Sequence, residues 1–301
     1  MLRSSDNRGP MKFLLAVSIL VFSTIPALTQ KRGIEPELLS KANAGDAHAQ
    51  LAVGQAYASG IPVSQDFAQA VAWFQKAADQ GLAPAEDELG GLYQSGNGVA
   101  QDPAKAATWY RRAADQNLAT AELHLGLLYD HGDGVAHDSA QAAAWYRLAA
   151  LQGLPEAQYN LGTLYERGIG VPQDYAQAAD LYRRAAEKGN AAAQFNLGLL
   201  YDNGTGLARD YAQAAAWYTR AAEQGLPRAQ FNLASMYANG QGVPVNLPES
   251  YFWFVLAAKT WSGSHQDEAV RDRDLVAQHL SAADLAAARQ RADKWLNEHQ
   301  K

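Results

Sequence analysis

Tyrosine stands at positions 57, 93, 129, 165, 201 and 237, always 36 residues apart. Trp73, Trp109, Trp145, Trp217 and Trp253 keep the same period, with Leu181 in the remaining place. Gly60, Gly96, Gly132, Gly168, Gly204 and Gly240 recur as well. So do Asp66, Asp102, Asp138, Asp174 and Asp210, with Asn246 sixth. Six units of 36 residues therefore cover residues 46–261. A period of this length marks stacked supersecondary units, each too small to bury its own apolar face and each covered by its neighbours.

Every unit reads as two helices. In the fourth, PEAQYNLGTLYERGIGVPQDYAQAADLYRRAAEKGN, the first helix is expected near 155–166 and the second near 175–188. Leu161 and Tyr165 lie four apart and share a face. Gly162, which has no Cβ, lets a neighbouring helix come close. Asp174 is placed to cap the second helix, its carboxylate accepting from the free N–H groups of the first turn. Tyr175, Ala178, Ala179, Tyr182 and Ala186 then form an apolar stripe. Pro103 after Asp102 suits a first helical position. Gly81, Asn117, Gly153, Gly189 and Gly225 end the second helices, where Gly and Asn tolerate the left-handed cap. At the flanks, 35–45 reads as a capping helix, and 262–301 holds two more, near 266–279 and 282–298. Ser281 with Asp284 resembles a capping box.

Composition narrows the function. The chain has 301 residues, 48% hydrophobic and 19% charged, enough for a sizeable core. It has no cysteine, so disulfides, thiolate zinc sites and cysteine nucleophiles are excluded. Its net charge of −6 comes without a basic run, which argues against nucleic acid or anionic lipid as partner. Residues 1–29 place Arg3, Arg8 and Lys12 ahead of an apolar run from Phe13 to Phe22, followed by Ser23, Thr24 and Ala27. That is the layout of a cleaved secretory signal peptide, and it predicts a periplasmic or secreted protein with no membrane span after cleavage. An uncleaved N-terminal anchor is the alternative.

One stretch invites a chemical reading. Residues 130–138, DHGDGVAHD, hold two histidines and three aspartates. The matching loops read ASGIPVSQD, QSGNGVAQD, ERGIGVPQD, DNGTGLARD and ANGQGVPVN, so the glycines and the final cap persist while the histidines do not. Two histidines six apart about a glycine turn match no ligand spacing for zinc. A solvated loop ending in a helix cap is the expectation. The recurrent Gly-x-Gly lacks a preceding strand and a third glycine, and no HExxH or Gly-x-Ser-x-Gly occurs. The sequence points to no catalytic residue, cofactor or metal.

Segments such as AQYNLGTLYERGIGVPQDYAQAADLYRRAAEKGN (157–190) and AQFNLGLLYDNGTGLARDYAQAAAWYTRAAEQGL (193–226) resemble the Sel-one-like repeat, a relative of the tetratricopeptide repeat. The resemblance implies an all-α fold, a right-handed α/α superhelical solenoid of six helix-turn-helix repeats with terminal capping helices. It also implies a non-catalytic scaffold that binds a protein or peptide. The departures are Pro62 for the second loop glycine of the first unit, Leu181 for Trp, and Ala234 for the helix glycine of the sixth.

In the related tetratricopeptide fold the first helices line the concave face. Carried over, that face presents Leu123, Leu127, Asp130, Tyr159, Thr163, Glu166, Phe195, Leu199, Asp202 and Phe231. The aromatic positions either bind a partner's apolar anchors or pack between neighbouring first helices. Two rivals to the scaffold reading are a cell-envelope hydrolase working through Asp130 and Glu166, and a lectin-like module stacking wall sugars on the aromatic strip.

Overall fold

A computed structural model describes residues 33–299, which form fifteen α-helices and, among the described residues, no strand. The segment 1–29, with its expected signal peptide, lies outside them. A short helix α1 (Pro36–Asn43) comes first. The first and second helices of the six units are α2 and α3 (Ala47–Ser59, Phe67–Ala78), α4 and α5 (Ala83–Ser95, Pro103–Ala114), α6 and α7 (Ala119–His131, Ser139–Leu151). There follow α8 and α9 (Pro155–Arg167, Tyr175–Glu187), α10 and α11 (Ala191–Asn203, Tyr211–Glu223), α12 and α13 (Pro227–Asn239, Leu247–Thr260). The last two helices are α14 (Ser264–Ala277) and α15 (Ala282–His299). From α1 to α14 each helix packs chiefly on its neighbours in sequence, whereas α15 reaches past α14 and packs on α13. The result is an all-α solenoid.

Local chemistry explains the boundaries. Asp66, Asp102, Asp138, Asp174 and Asp210 each accept a backbone N–H of the following helix at 3.0 Å. Asn246 does the same at 3.1 Å. The cap residue's own N–H donates back to the carbonyl of the repeated tyrosine, Asp174 to Tyr165 at 2.9 Å, and so fixes the loop length between them. These N–H bonds hold the Asp174 carboxyl below the usual carboxylate range. At the start of α15, Ser281 Oγ accepts the Asp284 N–H at 3.1 Å. The Asp284 carboxylate takes the Ser281 hydroxyl at 2.7 Å, whereas a full capping box would reach the backbone N–H.

Within a unit, the two helices meet as ring on glycine. The second helix carries a fully buried aromatic at 74, 110, 146, 182 or 218, facing the glycine of the first helix at 54, 90, 126, 162 or 198. A Cβ on Gly126 would lie 2.6 Å from the Tyr146 ring, and one on Gly162 2.9 Å from Tyr182. Such distances are inside van der Waals contact, so only glycine admits the ring this close. Mid-helix glycine costs roughly 0.5–1 kcal/mol relative to alanine. Burying the ring returns about 1.5–3 kcal/mol.

Between units, two contacts recur. The second loop glycine, with φ +70° at Gly134, sits against the start of the preceding unit's second helix, where a Cβ would overlap Pro103 backbone. Pro62 takes this place in the first unit; the register position it would press on is residue 31, outside the described residues. The other contact is a row of buried polar side chains. Gln50, Gln158, Gln194 and Gln230 donate to the carbonyls of Ala42, Ala150, Ala186 and Ala222 at 3.0–3.1 Å, each in the preceding helix. Glu86 and Glu122 fill the same place in units two and three. Glu86 pairs with Arg112 at 2.7 Å. Glu122 has Leu148 where that arginine would be, and accepts only the Gln152 amide at 2.8 Å. Burial raises its pKa, against the lowering effect of that bond.

Two outcomes are expected in denaturant titrations. Gly126→Ala forces overpacking worth about 1–3 kcal/mol against a helix gain of about 1 kcal/mol, so it lowers stability; a rise would refute the ring-on-glycine account. Glu122→Gln gains a bond to the Ala114 carbonyl and raises stability by about 1 kcal/mol at neutral pH. The native Glu122 binds its proton more tightly than the unfolded one, so its cost is full above the folded pKa and fades as pH falls. The gain from Glu122→Gln therefore shrinks on acidification. A gain that grew instead would contradict the raised pKa.

Candidate functional site

The first-helix face is built over the buried aromatics. Four of these are tyrosines, and their hydroxyls emerge beside the last turn of the first helix. Tyr110 donates to Gln94 Oε1 at 3.0 Å, Tyr146 to Asp130 Oδ2 at 3.4 Å and Tyr218 to Asp202 Oδ2 at 3.3 Å. Tyr182 donates to Glu166 in a shorter bond. In the first and sixth units the ring is Phe74 or Phe254 and the acceptor position is Ala58 or Ala238. Donor and acceptor are thus lost together, which avoids an unpaired buried polar group. Burial pushes the Tyr146 phenol well above its ordinary value, and the Asp130 carboxylate adds to the shift.

This gives Asp130, Glu166 and Asp202 a structural task that their sequence positions alone did not reveal. The signal was present, however: tyrosine and an acceptor sixteen residues earlier change in step with phenylalanine and alanine. The aromatic strip also leans inward. Phe195 is 9% exposed and belongs to the core, its ring 5.7 Å from that of Tyr218. Tyr159 lies 5.8 Å from Tyr182, and Phe231 5.3 Å from Phe254 and 5.8 Å from Trp261. Leu123, Leu127, Leu199 and Phe231 are half-buried against the core. Thr163 Oγ1 is 3.1 Å from both the Tyr159 carbonyl and the Tyr182 hydroxyl.

Three of these residues do come together. Asp130, Tyr159 and Thr163 line a hollow of about 140 Å³ between the third and fourth units. Arg167 and Ile169, which were not singled out from the sequence, complete its rim. Both are exposed, Ile169 at 39%. The other loops, apart from Ile61, carry a polar residue at the place of Ile169, and that contrast was the available clue.

The histidine-rich loop divides its side chains among separate partners. Asp130 accepts from Tyr146, Asp133 from the Gln94 amide at 3.4 Å, and Asp138 caps α7. His137 Nε2 lies 3.3 Å from Ser139 Oγ, and His131 is exposed. Among the described residues, no group of three or more His, Cys, Asp or Glu side chains could hold a metal ion. No described helix is long and apolar enough to cross a membrane.

The family profile of the Sel1 repeat matches residues 47–82, 83–118, 119–154, 155–190, 191–226 and 227–259 in unbroken succession. The chain belongs to the Sel1 repeat family. Sel1 repeat proteins are generally protein-interaction scaffolds. Among solved structures, it is similar to c5321 of uropathogenic Escherichia coli, described as a protective antigen displaying an SLR fold, with 37% identity and a TM-score of 0.77. That match covers 88% of this chain and 55% of the Escherichia coli protein, so the chain spans little more than half of that relative's length. A Sel1 repeat protein from Oxalobacter formigenes is 36% identical with a TM-score of 0.69, over 78% of this chain and 68% of that one. No curated protein matches the chain.

A double-mutant cycle checks the tyrosine ladder of this Sel1 solenoid. Tyr182→Phe and Glu166→Ala are expected to show a coupling of roughly 1–3 kcal/mol in chemical denaturation. Additive losses would mean that the bond contributes nothing to stability.

Proposed function

We propose that this Sel1 repeat protein is a non-catalytic scaffold, working in the periplasm or outside the cell, that binds a protein or peptide on the concave face formed by its first helices. The observation that carries this reading is the hollow at the third and fourth units. Asp130 offers negative charge there, Tyr159 and Ile169 offer apolar surface, and Thr163 adds a hydroxyl. Polar groups beside the apolar surface of Tyr159, Leu164 and Ile169 suit a peptide with one buried side chain and some basic character. The removable signal-like segment at 1–29 and the description of the Escherichia coli relative as a protective antigen support the location. The hydrolase reading has no comparable support. It needs a carboxyl that stays protonated in a dry pocket, whereas Asp130 and Glu166 both accept hydrogen bonds from tyrosine.

Peptides selected from a random display library against the purified protein provide the test. Ile169→Arg alters only an exposed rim position, trading apolar surface for a positive charge, so stability should hold within about 0.5 kcal/mol. The same change should cost the selected peptides tenfold or more in affinity, about 1.4 kcal/mol. Peptides that bind wild type and variant equally would place recognition elsewhere.

A further inference from the structure

The third and fourth units join at a defect in the repeat. Trp73, Trp109, Trp145, Trp217 and Trp253 project from the second helices, and the cluster memberships show where they go. Trp109 packs on the first unit's core, Trp145 on the second's and Trp217 on the fourth's, so each fills the groove beside the preceding second helix. Leu181 stands in this register on α9 and fills its groove only in part. A cleft of about 480 Å³ remains open between α7 and α9, floored by Leu161, Tyr165 and Leu181.

The cations that elsewhere cover the indole are still present. Lys76, Arg112 and Arg220 lie over Trp73, Trp109 and Trp217 at 3.8, 4.5 and 4.4 Å from the ring centroid, each three residues after its tryptophan. Arg184 holds the matching place after Leu181. Arg111, from the preceding unit, lies 4.7 Å from the Trp145 ring, and Arg147 matches it at the cleft. Both arginines line the cleft and both are held by other bonds. Arg147 donates to the Tyr165 hydroxyl at 2.9 Å, and Arg184 to the Ala150 carbonyl at 3.3 Å. The rim has changed as well. Leu151, 70% exposed, replaces the acidic residue found at this place in units one, two, four and five.

We propose that this cleft is a docking site for an aromatic side chain, tryptophan above all, carried by a partner protein. The complementarity is electrostatic and apolar together. Two guanidinium groups fixed beside an apolar floor favour the face of a ring. The same chain shows that an indole fits this environment at the equivalent joint. Leu151 adds apolar surface for the residues flanking the inserted ring. The site is built by second helices and is independent of the first-helix hollow. It rests on the scaffold reading only in naming a protein as the carrier of the ring.

The test follows 5-fluoroindole by ¹⁹F NMR in the presence of the full chain, with Gly-Trp-Gly and Gly-Ala-Gly tripeptides as competitors. Expected are saturable broadening of the fluorine signal and its reversal by the tryptophan tripeptide alone. Leu181→Trp fills the cleft, so it should abolish binding while raising the melting temperature, which shows that the variant is folded. Arg147→Gln should weaken binding roughly two- to thirty-fold. Absence of saturable binding, or binding unchanged in Leu181→Trp, would overturn the proposal. So would 5-fluoroindole binding that the tryptophan tripeptide cannot reverse, since the site would then take a free ring and not a side chain. Sedimentation equilibrium closes the remaining case: a dimer that Leu181→Trp converts to monomer would make a second copy the occupant. None of these results depends on peptide selection at the hollow, so either reading can fail alone.

Discussion

The contact on which the structure depends is an aromatic ring set close against a helix that has no side chain at that point. It sets the spacing of the two helices in each unit. Ala234 is the one place in the six units where a methyl group stands in the glycine's register, and there the ring is Phe254. Once the ring is fixed, its para position is fixed too. In four units that position carries a hydroxyl which must find a partner, and the last turn of the first helix supplies one. Packing therefore dictates part of the surface chemistry.

Units are tied to one another by different means. The buried glutamines bond to the preceding helix, the loop glycines rest on its start, and tryptophans fill the groove alongside it. Such nearest-neighbour ties make the energetics close to a sum over joints. A departure at one joint is then local and need not disturb the others. The third and fourth units collect several departures at once: Glu122 without its arginine, Leu148 and Leu151 exposed, and Leu181 short of an indole. Each alone would be an ordinary variation. Together they mark two successive joints of the solenoid.

Much of this was legible in the sequence. The period gave the units, the recurring aspartates gave the helix starts, and the fourth unit's helices fall at Pro155–Arg167 and Tyr175–Glu187, close to the expected 155–166 and 175–188. Those features depend on local chemistry that repeats. The candidate face was less legible, because an offset along a helix fixes direction only to within a quarter turn. Tyr159 and Phe195 share a register, yet Phe195 sinks into the core while Tyr159 reaches the hollow. Arg167 is the last residue of α8 and Ile169 lies in the loop beyond it, whose path depends on the neighbouring unit, so helical spacing alone could not place the pair. The tyrosine–carboxylate pairs needed comparison across units at a separation of sixteen residues, a spacing that belongs to the fold and not to any single helix.

The loop glycine also has a direction. Gly134 presses on the beginning of α5, Gly170 on that of α7, Gly206 on that of α9, always on an earlier part of the chain. No loop waits for a surface that has yet to be made. As the polypeptide leaves the ribosome, each new hairpin meets a finished seat, and the growing end alone stays uncovered. The solenoid can thus be laid down vectorially, like courses of brick, with α15 set over α13 beyond the sixth unit.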